Sequence, residues 1–455
     1  MTYEQFIDSK RHQSENFGIE PKYLPNCLFD FQKKIAEHAI IKGRCGVFVD
    51  TGLGKTLVQL VAAVNYLRYT NKPVLIITPL AVAFQFIREA EKFNIEASIE
   101  YSKDGKYQSE IVLCNYERLD KFSPEDFDCV ILDESSILKN FQGAIRQQVT
   151  TFMKRTKYRF LSTATPSPND FIELGTSSEA LGYMPYMEML QKFFANNENN
   201  IRPQEIGTKW YIKPHAVDDF FKWVGSWSIS VKQPSDLGFS DVDFVLPELK
   251  KKYHFVKNDK NWVVDGQVLM FGKMAKTMTE VRQEQQMTIE NRCTRAAELS
   301  ANHDTSVYWC NFNKEGDLLA SMDKEAYQIK GSMNIDQKED ILLGFLNGDI
   351  KKLITKPKMT AFGLNWQHCN HTTYFPTWSY EQYYQAIRRF WRFGQKNDVT
   401  VDLILSDGQK RVTDALEYKT DKAIRLFEKL KENTNTNFGY EQKQFTNPIN
   451  LPAWI

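Results

Sequence analysis

The chain has 455 residues, 42% hydrophobic and 25% charged, a globular balance with length for about three units of ~150 residues. That composition excludes a largely disordered chain, a collagen-like chain and a small disulfide scaffold. The 58 Lys and Arg nearly cancel the 57 Asp and Glu, which excludes coating of nucleic acid by net charge but leaves room for a local basic channel.

From the N-terminus, MTYEQFIDSKRHQSE is polar and charged, which predicts no signal peptide. Strand-like runs then alternate with helical patterns to about residue 165, predicting an α/β fold with a mostly parallel sheet. The predicted strands are 46–50, 74–77, 111–114, 129–132 and 158–162, with helices over 55–69 and 82–93. The strands are continuously apolar, as expected where helices cover both faces. Residues 167–230 read as a helical insertion broken by Pro185, Pro203 and Pro214. LPELKKK (246–252) reads as a turn leading into a long helical stretch to Ser300. Strand–helix rhythm resumes at 306–310, 327–329, 352–355, 371–375 and 399–405, and a last helix covers 412–433. Two parallel-sheet lobes follow, residues 1–240 and 241–455.

The seven Cys are scattered without Cys-x-x-Cys spacing, which predicts free thiols in a reducing cytoplasm. The longest apolar stretch, 74–87, contains Thr78, Pro79 and Gln85 and is too short for a membrane helix.

VDTGLGKT (49–56), between a strand and a helix, has the logic of a phosphate cradle. Gly52, Leu53 and Gly54 form the loop, whose N–H groups face phosphate beside the positive helix end. Lys55 reaches the β- and γ-phosphates, and the Thr56 hydroxyl meets Mg²⁺. The strict phosphate-loop pattern fails at its first position, Val49. CVILDESS (129–136) ends a buried strand with Asp133, to hold Mg²⁺ through water, and Glu134, to orient the attacking water.

Together these residues resemble a superfamily 2 helicase-type motor. LFDFQKK (28–34) is similar to its adenine-reading motif, with Gln32 as reader. ITPLAVAFQF and CNYERL resemble segments touching nucleic-acid backbone, through Thr78, Pro79, Asn115 and Tyr116. LSTATP resembles the segment coupling ATP state to lobe closure, through Thr163, Ala164 and Thr165.

In the second half, WSYEQYYQAIRRFWRFGQ (378–395) puts Gln385, Arg389 and Arg392 on one face if helical throughout, a patch able to stabilise a transferring phosphoryl group. A solvated basic face would look the same. The ending Gly394–Gln395 resembles the Swi/Snf type within the superfamily, as found in compact phage and bacterial proteins. YQIKGSMN offers Lys330 and Gly331, KKLITKPK offers Lys356, and TAFGLNW offers Gly363 for nucleotide and Asn365 for nucleic acid. ISVKQPSDLG resembles the family's lobe linker loosely, with Ser230 and Val231 where an Arg pair is usual. His368, Cys369 and His371 lack a second ligand pair for zinc.

The resemblance implies two RecA-like lobes, ATP and Mg²⁺ as cofactors, and a cytoplasmic monomer moving along DNA, with duplex preferred over RNA. A nucleotide-gated clamp, or the motor subunit of a restriction or defence complex, are the alternatives. Protein partners are unspecified.

Overall fold

The computed structural model describes residues 16–140, 142–196, 210–257, 262–264, 267–269, 278–357, 359 and 365–442. The chain divides into two compact units. One runs to Asp241, apart from Leu80–Gln85, and takes up the chain again at Ala423; the other holds Leu80–Gln85 and Val242–Lys422.

In the first unit, α1 (Asp30–Lys42) precedes β1 (Arg44–Val49), α2 (Lys55–Thr70) and β2 (Val74–Ile77); α3 (Leu80–Lys92) follows, its residues from Phe86 on belonging to this unit. Then come β3 (Ile99–Tyr101), β4 (Ile111–Cys114), β5 (Cys129–Asp133), α4 (Ala144–Lys154) and β6 (Tyr158–Thr163). The sheet order is β3-β4-β2-β5-β6-β1, closed by a seventh strand, β9 (Ser228–Val231), beside β1. All its pairings are parallel. VLII and IVLC are buried at every position because both faces of a parallel sheet are covered. Parallel strands also bring the carboxyl ends of β1, β2, β5 and β6 to one edge, where ligands bind in such sheets.

Residues 167–230 are less helical than the sequence suggests. They contain α5 (Glu173–Leu181), α6 (Tyr186–Phe193) and α7 (Val217–Trp227), but also an antiparallel pair, β7 (Phe194–Asn196) and β8 (Trp210–Ile212), and then β9. Ser230 and Val231 are buried in β9, so the start of the segment read as a linker is sheet. Trp227 and Phe48 meet edge to face at 6.0 Å, which packs α7 against β1.

The second unit opens with β10 (Leu249–Val256), where a turn into helix was expected. Lys250, Lys251 and Lys252 all lie on this exposed edge strand, so the apolar signature of a buried strand is missing. A short hairpin, β11 (Trp262–Val264) and β12 (Gln267–Leu269), precedes α8 (Met278–Met287) and α9 (Ile289–Ser300). The rhythm then continues through β13 (Ser306–Trp309), α10 (Asn313–Met322), β14 (Ala326–Gln328), α11 (Ile335–Asn347), β15 (Lys352–Thr355) and β16 (His371–Tyr374). α12 (Tyr380–Ile387), β17 (Val399–Ser406) and α13 (Lys410–Gln442) complete it. The sheet order is β10-β17-β16-β13-β15-β14, again parallel throughout. Leu426 and Leu430 of α13 lie in the core of the first unit. The chain thus contains two RecA-like parallel α/β units.

Two buried polar pairings stand out inside the second unit. Arg292 and Glu315, 1% and 0% exposed, form an ion pair at 2.7 Å. Removing one partner of such a pair costs about 3–5 kcal/mol, because the other is left charged and buried. His371 Nε2 donates to Asp402 Oδ2 at 2.9 Å, and its Nδ1 shares a hydrogen bond with the Ser306 hydroxyl at 2.8 Å, a buried chain across adjacent strands. Among the described residues no cluster of three or more His, Cys, Asp and Glu is arranged to hold a metal. All seven Cys are free, six of them buried. No helix among the described residues is long and apolar enough to cross a membrane.

Candidate nucleotide site

The phosphate loop forms because two glycines permit a backbone that other residues resist. Gly52 and Gly54 have φ of 87° and 81°, in the left-handed region. A Cβ on Gly54 would lie 2.2 Å from Gln32 Nε2, so the Gln32 amide would have to give way there. Gly54 is the N-cap of α2, whose first residues are Lys55 and Thr56. The free N–H groups and dipole of that helix start make the loop a phosphate site. Lys55 Nζ donates to the carbonyls of Val49 and Asp50 at 3.0 and 3.2 Å, which holds the ammonium over the loop.

Asp133 ends β5, 5% exposed. Gln59 Nε2 donates to its Oδ1 at 2.9 Å and Thr78 Oγ1 to its Oδ2 at 3.0 Å. Burial pushes the Asp133 carboxyl above its ordinary value, opposed by the hydrogen bonds from Gln59 and Thr78 and by the Lys55 ammonium. Glu134 follows with φ 48° and ψ 53°, an uncommon conformation for a residue with a Cβ. Such backbone costs of order 1–3 kcal/mol and clusters at functional sites. Thr163 Oγ1 donates to Glu134 Oε2 at 3.4 Å and accepts from the Thr165 N–H at 3.0 Å. The end of β6 is thus joined to the residue expected to handle water, and Thr163, Ala164 and Thr165 are all buried.

A carboxylate, a helix-start hydroxyl and a phosphate loop are hard oxygen donors and open positions of the kind Mg²⁺ takes beside nucleotide phosphates. Gln59 adds an observation of its own. Its side chain is 3% exposed, and Oε1 has no hydrogen-bond partner. The residues fit the ion.

Several expected contact residues face inward. Gln32 is buried with both ends of its amide engaged: Oε1 accepts from the Phe29 N–H at 3.0 Å, and Nε2 donates to the Leu53 carbonyl at 3.0 Å. It staples α1 to the phosphate loop. Thr78 is 0% exposed, and its hydroxyl is spent on Asp133 rather than presented to a nucleic-acid backbone. Tyr116 is 7% exposed, and its hydroxyl donates to the Asp133 carbonyl at 2.6 Å. Both hydroxyls are thus engaged at Asp133 in this structure. Both residues follow strands at the carboxyl edge, where polar side chains turn in toward the neighbouring strand end. Pro79 and Asn115 are half-buried, and Asn115 donates to Glu117 at 2.8 Å.

In the second unit, α12 stops at Ile387, so Gln385 lies on the helix while Arg389 and Arg392 follow it. The shared helical face is therefore corrected. Phe390 is fully buried beside Trp366, 5.6 Å between rings, and the Trp366 N–H donates to the Arg389 carbonyl at 2.9 Å. Burying that ring draws the chain off the helical path. Arg389 and Arg392 remain half-buried, and the Arg392 guanidinium donates to Asn365. Gly363, with Leu364, lies outside the described residues. Lys330 and Gly331 are exposed, Lys330 paired with Asp317 at 2.8 Å. Lys356 donates to Asn313 at 2.5 Å.

Sequence reasoning did not single out Gln59. Its signal was an amide four residues beyond Lys55 in a largely apolar helix, on the same face.

Two family models match the chain: DEAD/DEAH box helicase over residues 29–173, and helicase conserved C-terminal domain over 291–394. Together they span more than half of it. The DNA annealing helicase and endonuclease ZRANB3 of Mus musculus is 28% identical over 178 residues, 35% of this chain and 16% of that protein. The SWI/SNF-related matrix-associated actin-dependent regulator of chromatin subfamily A-like protein 1 of Xenopus laevis is 28% identical over 173 residues, 36% of this chain and 18% of that one. The ISWI chromatin-remodeling complex ATPase ISW1 of Saccharomyces cerevisiae is 27% identical over 150 residues, 28% of this chain and 13% of that one. The matches thus span under a fifth of each relative. Among solved structures, the Sulfolobus solfataricus SWI2/SNF2 ATPase core in complex with dsDNA aligns over 93% of this chain and 97% of that one, with 18% identity and a TM-score of 0.43.

Proposed function

We propose that this chain, a superfamily 2 helicase-like ATPase of the Swi/Snf type, hydrolyses ATP and uses the energy to move along DNA. The observation that carries the reading is the meeting of four groups at one sheet edge: the Lys55 loop, Asp133, Glu134 and Thr163. Lys55 and the loop N–H groups bind the phosphates. Thr56 and, through water, Asp133 are the residues that would hold Mg²⁺, which supplies charge neutralisation across the β- and γ-phosphates. Glu134 orients and polarises the attacking water. Thr163 senses the Glu134 carboxylate and passes its state along the 163–165 turn. Arg389 and Arg392 are assigned to the charge that develops on the γ-phosphoryl group.

DNA as the track is inferred from the printed names of the three relatives, all of which concern DNA or chromatin. Basic side chains near Lys330 and Lys356 suit backbone contact. ATPase activity compared across single-stranded DNA, duplex DNA, forked DNA and RNA tests the reading. Stimulation strongest with duplex-containing DNA is expected; RNA-dependent turnover with no response to duplex would overturn the DNA assignment. A clamp would bind DNA in an ATP-dependent way without displacing a triplex strand, whereas a motor displaces it.

A further inference from the structure

Asp133 is gripped from two sides. Gln59, one turn beyond Lys55 on α2, donates to Oδ1 at 2.9 Å; Thr78, at the end of β2, donates to Oδ2 at 3.0 Å. The carboxylate is acceptor-only when ionised, which fixes the Gln59 amide with its NH₂ toward Asp133 and its Oε1 turned away. That Oε1 is buried and unpaired, although the surrounding helix is closely packed. A buried acceptor without a donor is costly, and native structures keep one where a ligand or water completes it. The Glu134 N–H also bonds the carboxylate, and of its roughly four acceptor sites these donors still leave room for a water on a metal.

We infer that Gln59 and Thr78 are positioning residues for magnesium. They fix the plane of the Asp133 carboxylate so that the acceptor capacity it has left faces the metal's water shell, and Gln59 Oε1 offers a further acceptor to that shell. The same pair ties the metal-holding strand to the phosphate-loop helix on one side and to the end of β2 on the other. Outer groups of this kind commonly set metal affinity by 10- to 100-fold. The inference rests on the ATPase reading above.

The test is equilibrium binding of a fluorescent non-hydrolysable ATP analogue to the full chain, titrated in Mg²⁺ and again in EDTA. Gln59→Met and Thr78→Val each remove one donor at similar volume, and Thr78→Ser keeps the hydroxyl. Either donor-removing variant should bind about tenfold more weakly in Mg²⁺, the scale of one charge-assisted hydrogen bond, and within about twofold of wild type in EDTA. Thr78→Ser should behave as wild type in both. Equal losses with and without Mg²⁺, or none in either, would overturn the inference by making the two residues structural or idle. If Gln59→Met does not fold, the Thr78 pair decides alone. Wild-type protein that binds the analogue equally in Mg²⁺ and EDTA would overturn the magnesium assignment while leaving nucleotide binding intact. Wild-type protein that binds no nucleotide would overturn the ATPase reading itself, and the inference with it.

Discussion

The Tyr116 hydroxyl donates to the main-chain carbonyl of Asp133 at 2.6 Å, and both residues are buried. A segment expected to touch nucleic acid is therefore anchored on the residue expected to hold the metal. Movement of the 115–121 turn on binding a strand would be felt at the end of β5 through one short bond. Tyr116→Phe should cost ~1 kcal/mol of stability, the usual net value of such a bond. It should also lower nucleic-acid stimulation of turnover more than basal turnover. Denaturant unfolding and ATPase assays check the two parts; a variant with unchanged stimulation would make the bond purely structural.

Arg389→Ala and Arg392→Ala should reduce kcat while nucleotide affinity changes little, because a guanidinium acting on the transition state adds little to ground-state binding. Where such a group acts fully, its removal costs ~10³–10⁵ in rate. Single-turnover hydrolysis beside equilibrium nucleotide binding separates the terms. Unchanged kcat would mean that the stretch after α12 is only a solvated basic face.

Glu173 gives a pH signature. It is 8% exposed, and burial pushes its carboxyl up to about 7 despite hydrogen bonds from Asn169. The folded state keeps this proton at pH values where the unfolded chain has released it. The contribution to stability is thus full below the ordinary carboxylate range and is lost as pH rises through about 7. The whole effect is on the order of 3 kcal/mol. Glu173→Gln should flatten the decline in stability between pH 5 and 8, read from denaturant midpoints across that range. An identical slope in wild type and variant would contradict the assignment.

Salt should report the nucleic-acid contacts. Binding should weaken steeply with ionic strength, and Lys330→Ala or Lys356→Ala should each reduce the slope of log K against log salt by about 1. Both lysines already hold partners within the second unit, Asp317 and Asn313, so those side chains must be released to reach phosphate. Binding isotherms at several salt concentrations decide it; unchanged slopes would move the contacts elsewhere.

Most buried strands were readable because burial on both faces leaves a continuous apolar run, as in VLII, IVLC and KLIT. Exposure hid β10, whose lysines suit a sheet edge and imitate a turn. β9 was hidden because Ser228–Val231 is short and its neighbour in the sheet, β1, is far back in sequence. The phosphate loop and the Asp–Glu pair were legible, since their chemistry is local: glycines at left-handed positions and acids at a strand end. Gln59, Thr78 and Tyr116 converge on Asp133 from three elements, and no local spacing encodes that meeting. The path of Arg389 and Arg392 was misread because helical periodicity continues through a stretch where burial of Phe390 takes the chain elsewhere.

The proposed activity is ATP hydrolysis at the edge formed by Lys55, Asp133 and Glu134, driven by contact with DNA. Steady-state ATPase assays of wild type, Lys55→Ala and Glu134→Gln, with and without duplex DNA, test it most directly. Wild-type turnover should rise with duplex DNA; Lys55→Ala should lose nucleotide binding and turnover together, and Glu134→Gln should bind ATP yet scarcely hydrolyse it. Turnover near wild type in either variant, or wild-type hydrolysis indifferent to every nucleic acid, would contradict the account.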